Sequence, residues 1–459
     1  MIQGRLIRIL NFSLLICSAF VLCATLGMLL NPDAFYKFFS PVQLVPDLVP
    51  PSRSISYYWD VKSYAEMVLS NRCLAFYPLW PALSRILFSP QTIDQAAHSL
   101  LKLSTVIFFV STPLLVWIFI KNLKHHYLAV LVLLAFSINP MAIFRAIGYT
   151  ESLFSALSII FIGLCLRQTR LPENLKLALV FCVTFIMSLT RPILIPFVFS
   201  SAAALGTMFF FEYLKLGNRE GRVFLLQLNQ YAQEIKTTVT IWISALLGYS
   251  VYGIFCLQSR GDFFAPFNDQ KNWGTKLGLH LELLLFPKSP LFDLLGLYFP
   301  ILVLLIAFTL VYFKIKNKST LVWVPKSPLW KVLLLYPPLL TFGYILTNLI
   351  LKRKSTEVEH SLTRLNTSDF TLTLSSNYIF WFCVYFPVVH SALIFFTRDR
   401  LYSLGRYVFG VPFFFLALGY LCCCIPGKKT YQALWWFIAI SAIALVEQWV
   451  NYGQNKWLG

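Results

Sequence analysis

Metal-ligand spacing is missing from this sequence: no C-x-x-C, no H-x-x-x-H and no D-x-D occurs in its 459 residues. The first two absences exclude the common zinc frameworks. The third removes a common paired-acid signature for holding a divalent ion. The acids nearest Asp60 are Asp47 and Glu66, and Asp60 and Glu66 fall on different faces of a helix. No cofactor is indicated. Nine of the ten cysteines (Cys17, Cys23, Cys165, Cys182, Cys256, Cys383 and Cys422 to Cys424) sit in or at the ends of apolar segments. They read as small core hydrophobes, with only Cys73 in an aqueous loop, so no disulfide framework is expected. There is no internal repeat either, and the inverted halves of many transporters are not visible.

Charge is also scarce, at 12% of residues, while 58% are hydrophobic, 17% aromatic, and the mean hydropathy is +0.69. A soluble core cannot absorb that much apolar surface. At roughly 20 residues per membrane crossing, the chain reads as an all-α polytopic membrane protein of about 11–12 membrane segments. The formal charge of +19 comes from Lys and Arg in short loops between apolar runs, the positive-inside pattern, and leaves no basic face for nucleic acid. Arg5 and Arg8 precede an uncharged stretch from Ile9 to Leu30, too long for a signal peptide and long enough to span.

Following the basic turns alternately inside and outside divides the chain. The first extracytoplasmic loop, 31–100, carries five prolines and then Tyr57, Tyr58, Trp59 and Asp60; a helix there places Asp60 and Tyr64 on one face. A second outside loop covers 259–292 and contains Gly261, Asp262 and Trp273. Lysines on both sides of the run Val332–Leu351, which Pro337 and Pro338 interrupt, favour a re-entrant segment over a span. The Ser- and Thr-rich stretch 352–376 is then a flexible cytoplasmic loop.

With this topology Asp60, Arg145, Tyr149, Glu151, Arg191, Asp262, Trp273 and Arg406 gather on the outer side. Ionisable groups at membrane depth are costly and mark sites by default. Bland readings compete: Asp60 as a loop aspartate, Glu151 as a helix-dipole partner after Thr150, Arg191 and Arg406 as residues snorkelling to headgroups, and Trp273 as an interfacial tryptophan. On the residues alone the bland reading is preferred for Asp60 and Arg191 and the functional one for Arg406. For Glu151 the two balance, and Arg145 is undecided.

These residues lie in strings that resemble a known family. Trp59-Asp60 followed by Phe76-Tyr77-Pro78-Leu79-Trp80-Pro81 looks like the W-D and F-F-P-x-x-P pair of PIG-V-type mannosyltransferases, the family of GPI mannosyltransferase 2. Tyr149-Thr150-Glu151-Ser152-Leu153-Phe154 is similar to its Y-[ST]-E-S-L-F, and Thr190-Arg191-Pro192 to its T-R-P turn. Gly261-Asp262 with Trp273 resembles its G-D-P…W loop, and Arg406-Tyr407 with Pro412 its late R-Y-x-x-x-x-P element.

The resemblance implies a GT-C-type helical bundle with a helical first outside loop. It also implies transfer of a hexose, mannose by family, from a polyprenyl- or dolichyl-phosphate sugar to a glycolipid or glycan acceptor. Asp60 is then the general base, with Glu151 catalytic and Trp59, Tyr149, Arg191, Asp262, Trp273, Arg406 and Tyr407 binding substrate. The membrane is the plasma membrane in a bacterium, which is favoured, and the endoplasmic reticulum in a eukaryote, with the active site facing away from the cytoplasm. The partners are the lipid donor, the acceptor and membrane lipids. A transporter or flippase for a lipid-linked sugar is the alternative.

Overall fold

The computed structural model describes residues 2–458 except 40–57, 71–74, 124, 167–170, 217–228, 270, 272–276, 286–290, 317–319, 324–336, 346–361, 366–368 and 457. Among the described residues, seven helices are long and apolar enough to cross a membrane, making this an integral multi-pass protein. They are α1 (Ile2–Leu30), α5 (Ile93–Asn122), α9 (Leu194–Leu216), α10 (Ala232–Arg260), α11 (Leu291–Ile315), α13 (Tyr378–Thr397) and α16 (Lys428–Gly453). Four shorter helices pack among them: α6 (His126–Ser137), α7 (Glu151–Cys165), α8 (Glu173–Ser188) and α15 (Pro412–Cys424). Each of these eleven overlaps an apolar run expected to span.

Local signals account for the boundaries. Thr92 and Asn377 cap α5 and α13 by accepting the N–H of Gln95 and Phe380. Gly261, at φ 73, closes α10 in a left-handed turn that disfavours a side chain. Pro412 occupies the first turn of α15, where its missing N–H costs nothing. Small residues permit close helix crossings: a Cβ on Gly27 of α1 would lie 2.4 Å from Trp449 Cβ of α16.

The bundle has two unlike ends. Lys121, Lys215, Lys236, Lys314 and Lys428 mark one, at the finish of α5, α9 and α11 and the start of α10 and α16. At the other end lie α2 (Pro32–Phe39), α3 (Asp60–Leu69), α4 (Leu79–Phe88) and the loop after α10. The short helices reach only part of the way. The 15 residues of α7 and 13 of α15 rise about 22 and 20 Å, against a hydrocarbon core of roughly 30 Å. Their N-termini, bearing Glu151 and the Arg406 turn, therefore stop inside the bundle.

The re-entrant region can be judged from strand pairing. Thr320–Trp323 (β1) pairs antiparallel with Leu362–Leu365 (β2), and Lys314 reaches Asp369 at 3.1 Å. The chain therefore leaves and returns on one side. Between the strands, the described residues include the helix α12 (Pro337–Ile345); the rest of the run Val332–Leu351 lies outside the described residues.

The fold is all-α, with one small two-stranded ladder of β1 and β2 among its helices, and the described part of 352–376 contains β2 and the helix Phe370–Leu374. The strand is non-local, and composition does not reveal non-local pairing. In addition, Cys256 is disulfide-bonded; an apolar run hid its position near the end of α10, where it packs with Tyr77 and Tyr252.

The α1–α16 contact yields a direct test. Replacing Gly27 by valine should destabilise the purified protein by about 1–3 kcal/mol, read as a lower thermal-unfolding midpoint. An unchanged midpoint would contradict the packing described.

Candidate active site

Three segments distant in sequence meet at the end opposite the basic turns. Asp60 opens α3, Glu151 opens α7, and Arg406 lies on α14 (Leu404–Phe409), the short helix before α15. The Arg406 guanidinium lies 2.9 Å from Asp60 Oδ2 through Nη1 and 3.0 Å from Glu151 Oε1 through Nε. Arg191 Nη2 approaches the same Glu151 oxygen at 3.1 Å. Two arginines and two carboxylates thus form one chain of contacts with no formal charge. Glu151 is wholly buried and Arg406 nearly so, whereas a quarter of the Asp60 side chain is exposed. Asp60 is the member of the cluster that solvent reaches.

Burying such charges is tolerated only with compensating partners. Phe144, Tyr149 and Tyr407 surround Arg406, their ring centres 5.3, 5.0 and 5.4 Å from its guanidinium carbon. Arg191 lies over the Tyr407 ring at 4.5 Å. The contact of Arg406 Nε with Glu151 is electrostatic rather than a directed hydrogen bond, and both atoms lack an aligned hydrogen-bond partner. The Nε side of the guanidinium is thus held to Glu151 by charge.

The aromatic motifs of the first loop tie these parts together. Trp80 Nε1 donates to Gly148 O at 2.9 Å, fixing the turn before Tyr149, and Gly148 sits at φ 89, where a Cβ is disfavoured. Leu79 N–H donates to Leu189 O at 3.0 Å, linking the first loop to the turn of Arg191. Tyr64, one turn after Asp60, packs its ring against Phe76 and Tyr149. Burial, with the Asp60 and Glu151 carboxylates adding, pushes the Tyr64 phenol up, so it stays neutral.

Asp60 is held from its N-terminal side too. Tyr58 is buried; its hydroxyl donates to Lys456 O at 3.0 Å and accepts Leu458 N–H at 2.8 Å. The Lys37 ammonium, whose pKa burial lowers to about 8, sits 5.0 Å from the Tyr58 ring centre. Trp59 adopts φ 40 and ψ −111 with its side chain 54% exposed. A tryptophan in that conformation is strained, and such strain concentrates where geometry is over-determined.

The sequence-predicted residues divide accordingly. Asp60, Tyr149, Glu151, Arg191, Arg406 and Tyr407 come together, with Trp59 at the rim. Arg191 is not snorkelling: it is 6% exposed and paired with Glu151. Glu151 follows Thr150, whose side chain makes no cap bond, and the carboxylate faces two arginines. Asp262 is apart, accepting Phe264 N–H and Asn268 Nδ2–H in its own exposed turn. Trp273 lies outside the described residues. Arg145 also points elsewhere: it donates to Phe136 O and Ser137 O at the end of α6 and stacks over Phe108 and Phe136, a structural cap.

Two neighbours escaped the sequence reading. His390 packs its ring against Tyr407 and Phe386, and Asp293 is fully buried against the Arg406 turn. Each is a lone ionisable residue within or beside an apolar run, the signal that would have flagged it. Among the described residues, no group of three or more His, Cys, Asp or Glu is arranged around a metal position. No family model, curated protein or solved structure matches the chain.

The burial difference predicts a split in stability. Glu151→Gln leaves two buried arginines short of an anion and should cost about 3–5 kcal/mol; Asp60→Asn, at the exposed end, should cost about 1 kcal/mol or less. Thermal unfolding of the two purified variants checks this, and equal midpoints would contradict it.

Proposed function

We propose that this protein is a membrane glycosyltransferase. It moves a hexose, mannose by the family it resembles, from a polyprenyl- or dolichyl-phosphate sugar to a hydroxyl of a glycolipid or glycan acceptor, with inversion at the anomeric carbon. The observation that carries the reading is the bridge of Arg406 between a part-exposed Asp60 and a buried Glu151. Inverting transfer needs a base at the acceptor hydroxyl and cations at the departing phosphate, and this cluster holds both, side by side.

The chemistry follows from the contacts. The donor phosphate is an anion, and Arg406, paired with Asp60 on the part-exposed side of the cluster, can exchange that carboxylate for it. As Arg406 turns to the phosphate, the Asp60 carboxylate is released from the guanidinium and is free to face the acceptor hydroxyl. The acceptor oxygen then attacks the anomeric carbon while Asp60 takes its proton. The bond from that carbon to the phosphate oxygen breaks, its electron pair leaving with the lipid phosphate, which Arg406 and Arg191 stabilise in a low-dielectric setting. Glu151 holds the two arginines and does not itself touch substrate.

Placement away from the cytoplasm is supported by the basic turns clustered at the opposite end and by the disulfide at Cys256, which suits an oxidising compartment. The host membrane is the plasma membrane in a bacterium or the endoplasmic reticulum in a eukaryote. A carrier for a lipid-linked sugar is the second reading, favoured by the interrupted helices at Glu151 and Arg406. Carriers tend to put such breaks near the midplane, whereas α7 and α15 extend two-thirds of the way from the basic end.

Transfer of radiolabelled mannose from a polyprenyl-phosphate donor, in membranes carrying the protein, tests the proposal. Asp60→Asn should lower transfer by about 10²–10⁴-fold. Equal rates would remove Asp60 as the base. Donor movement across vesicles without any transfer would establish the carrier instead.

A further inference from the structure

Outside the four charged residues, the most constrained ionisable group near the site is Asp293. It lies in the first turn of α11 with no exposed surface. Its Oδ1 accepts Gly405 N–H at 2.7 Å and its Oδ2 accepts Ser403 N–H at 3.2 Å. Both carboxylate oxygens are thus aimed at the backbone immediately before Arg406, and among the described residues Asp293 forms no ion pair.

The surrounding packing leaves that turn little room. Ser403 is held at φ 68, a left-handed conformation unusual for serine. A Cβ on Gly405 would lie 3.0 Å from Phe292 O and 3.2 Å from Asp293 Oδ1; one on Gly296 would lie 3.1 Å from Gly405 N. Backbone meets backbone here because neither glycine has a side chain. Ser391 of α13 fastens the same spot from behind, donating to Gly296 O at 2.7 Å. From the other side, Asn139 Nδ2 donates to Phe409 O at 3.2 Å, at the far end of α14.

The geometry points to Asp293 as a positioning residue for the transfer reaction, setting the angle and depth at which Arg406 meets the donor phosphate and Asp60. This rests on the glycosyltransferase reading. A buried carboxylate costs several kcal/mol unless its bonds are complete, and its two bonds both go to one turn. The alternative of a general structural anchor would place those bonds anywhere in the fold. Here they end one and three residues before the arginine that joins both carboxylates of the site.

Asparagine at position 293 presents an N–H pair to one of two backbone N–H groups that both need an acceptor, so the turn must shift. A displacement of about 1 Å at a reacting group costs on the order of 10²-fold in rate. The test compares Asp293→Asn in the native background and in Arg406→Lys. Acting through Arg406, Asp293→Asn should raise the KM for the lipid-phosphate donor and lower kcat by about 10²-fold, leave the KM for acceptor unchanged, and add little further loss beside Arg406→Lys. Gly405→Ala, which pushes the same turn away from Phe292 and Asp293 with all charges intact, should behave alike and serves if Asp293→Asn does not fold.

Amide hydrogen exchange gives a readout free of activity. Residues 403–406 should exchange at least about tenfold faster in Asp293→Asn, while α1 and α16 keep their native protection. Losses that multiply in the Arg406→Lys background, or unchanged exchange at 403–406, would overturn the assignment. Altered exchange at this turn in a protein that transfers no sugar from any lipid phosphate would retain the positioning role and reject the glycosyltransferase reading.

Discussion

The site depends on one guanidinium. Arg406 touches both carboxylates of the cluster, and without it Asp60 and Glu151 are two separate acids on unrelated helices. Its position explains features that otherwise look unconnected: helices that stop inside the bundle, a turn packed on glycine, and three aromatic rings around a single cation. Burying a net-neutral set of four charges is a costly arrangement for stability alone. An apolar core of the same volume would serve as well, so the retained charges suit a site where an incoming anion redistributes them.

The first loop and the bundle interior cooperate through aromatic residues rather than through ion pairs. Trp80 reaches down to the carbonyl before Tyr149, Tyr64 packs between Phe76 and Tyr149, and Tyr58 is held by the backbone near the C-terminal end of the described chain. These contacts fix Asp60 relative to helices that lie more than 80 residues away in sequence. The exposed Trp59 is the exception, held in a strained conformation at the rim, where a sugar ring or a headgroup would approach.

Much of the fold was legible because the membrane restricts the choices: apolar runs must become helices, and basic turns mark one side. The same rules made the outer cluster of Asp60, Glu151, Arg191 and Arg406 visible as a set. Their partners were not visible, since Arg191 reads equally as a headgroup ligand until Glu151 is seen beside it. Arg145 carries the same charge yet only caps α6, a distinction that lies in geometry alone. Asp293 escaped notice because one acid at the mouth of an apolar run has no local pattern. The β1–β2 ladder was hidden because it is a non-local pairing, and the Cys256 disulfide because that cysteine sits in an apolar run.

In the proposed reaction Arg406 exchanges a carboxylate for a lipid phosphate. A high-resolution electron cryo-microscopy structure of the protein in lipid nanodiscs with bound polyprenyl phosphate tests it most directly. The account predicts the phosphate within hydrogen-bond distance of Arg406, with the Asp60 carboxylate released from the guanidinium and facing the acceptor side. Phosphate bound elsewhere, with the Arg406–Asp60 pair intact, would contradict it.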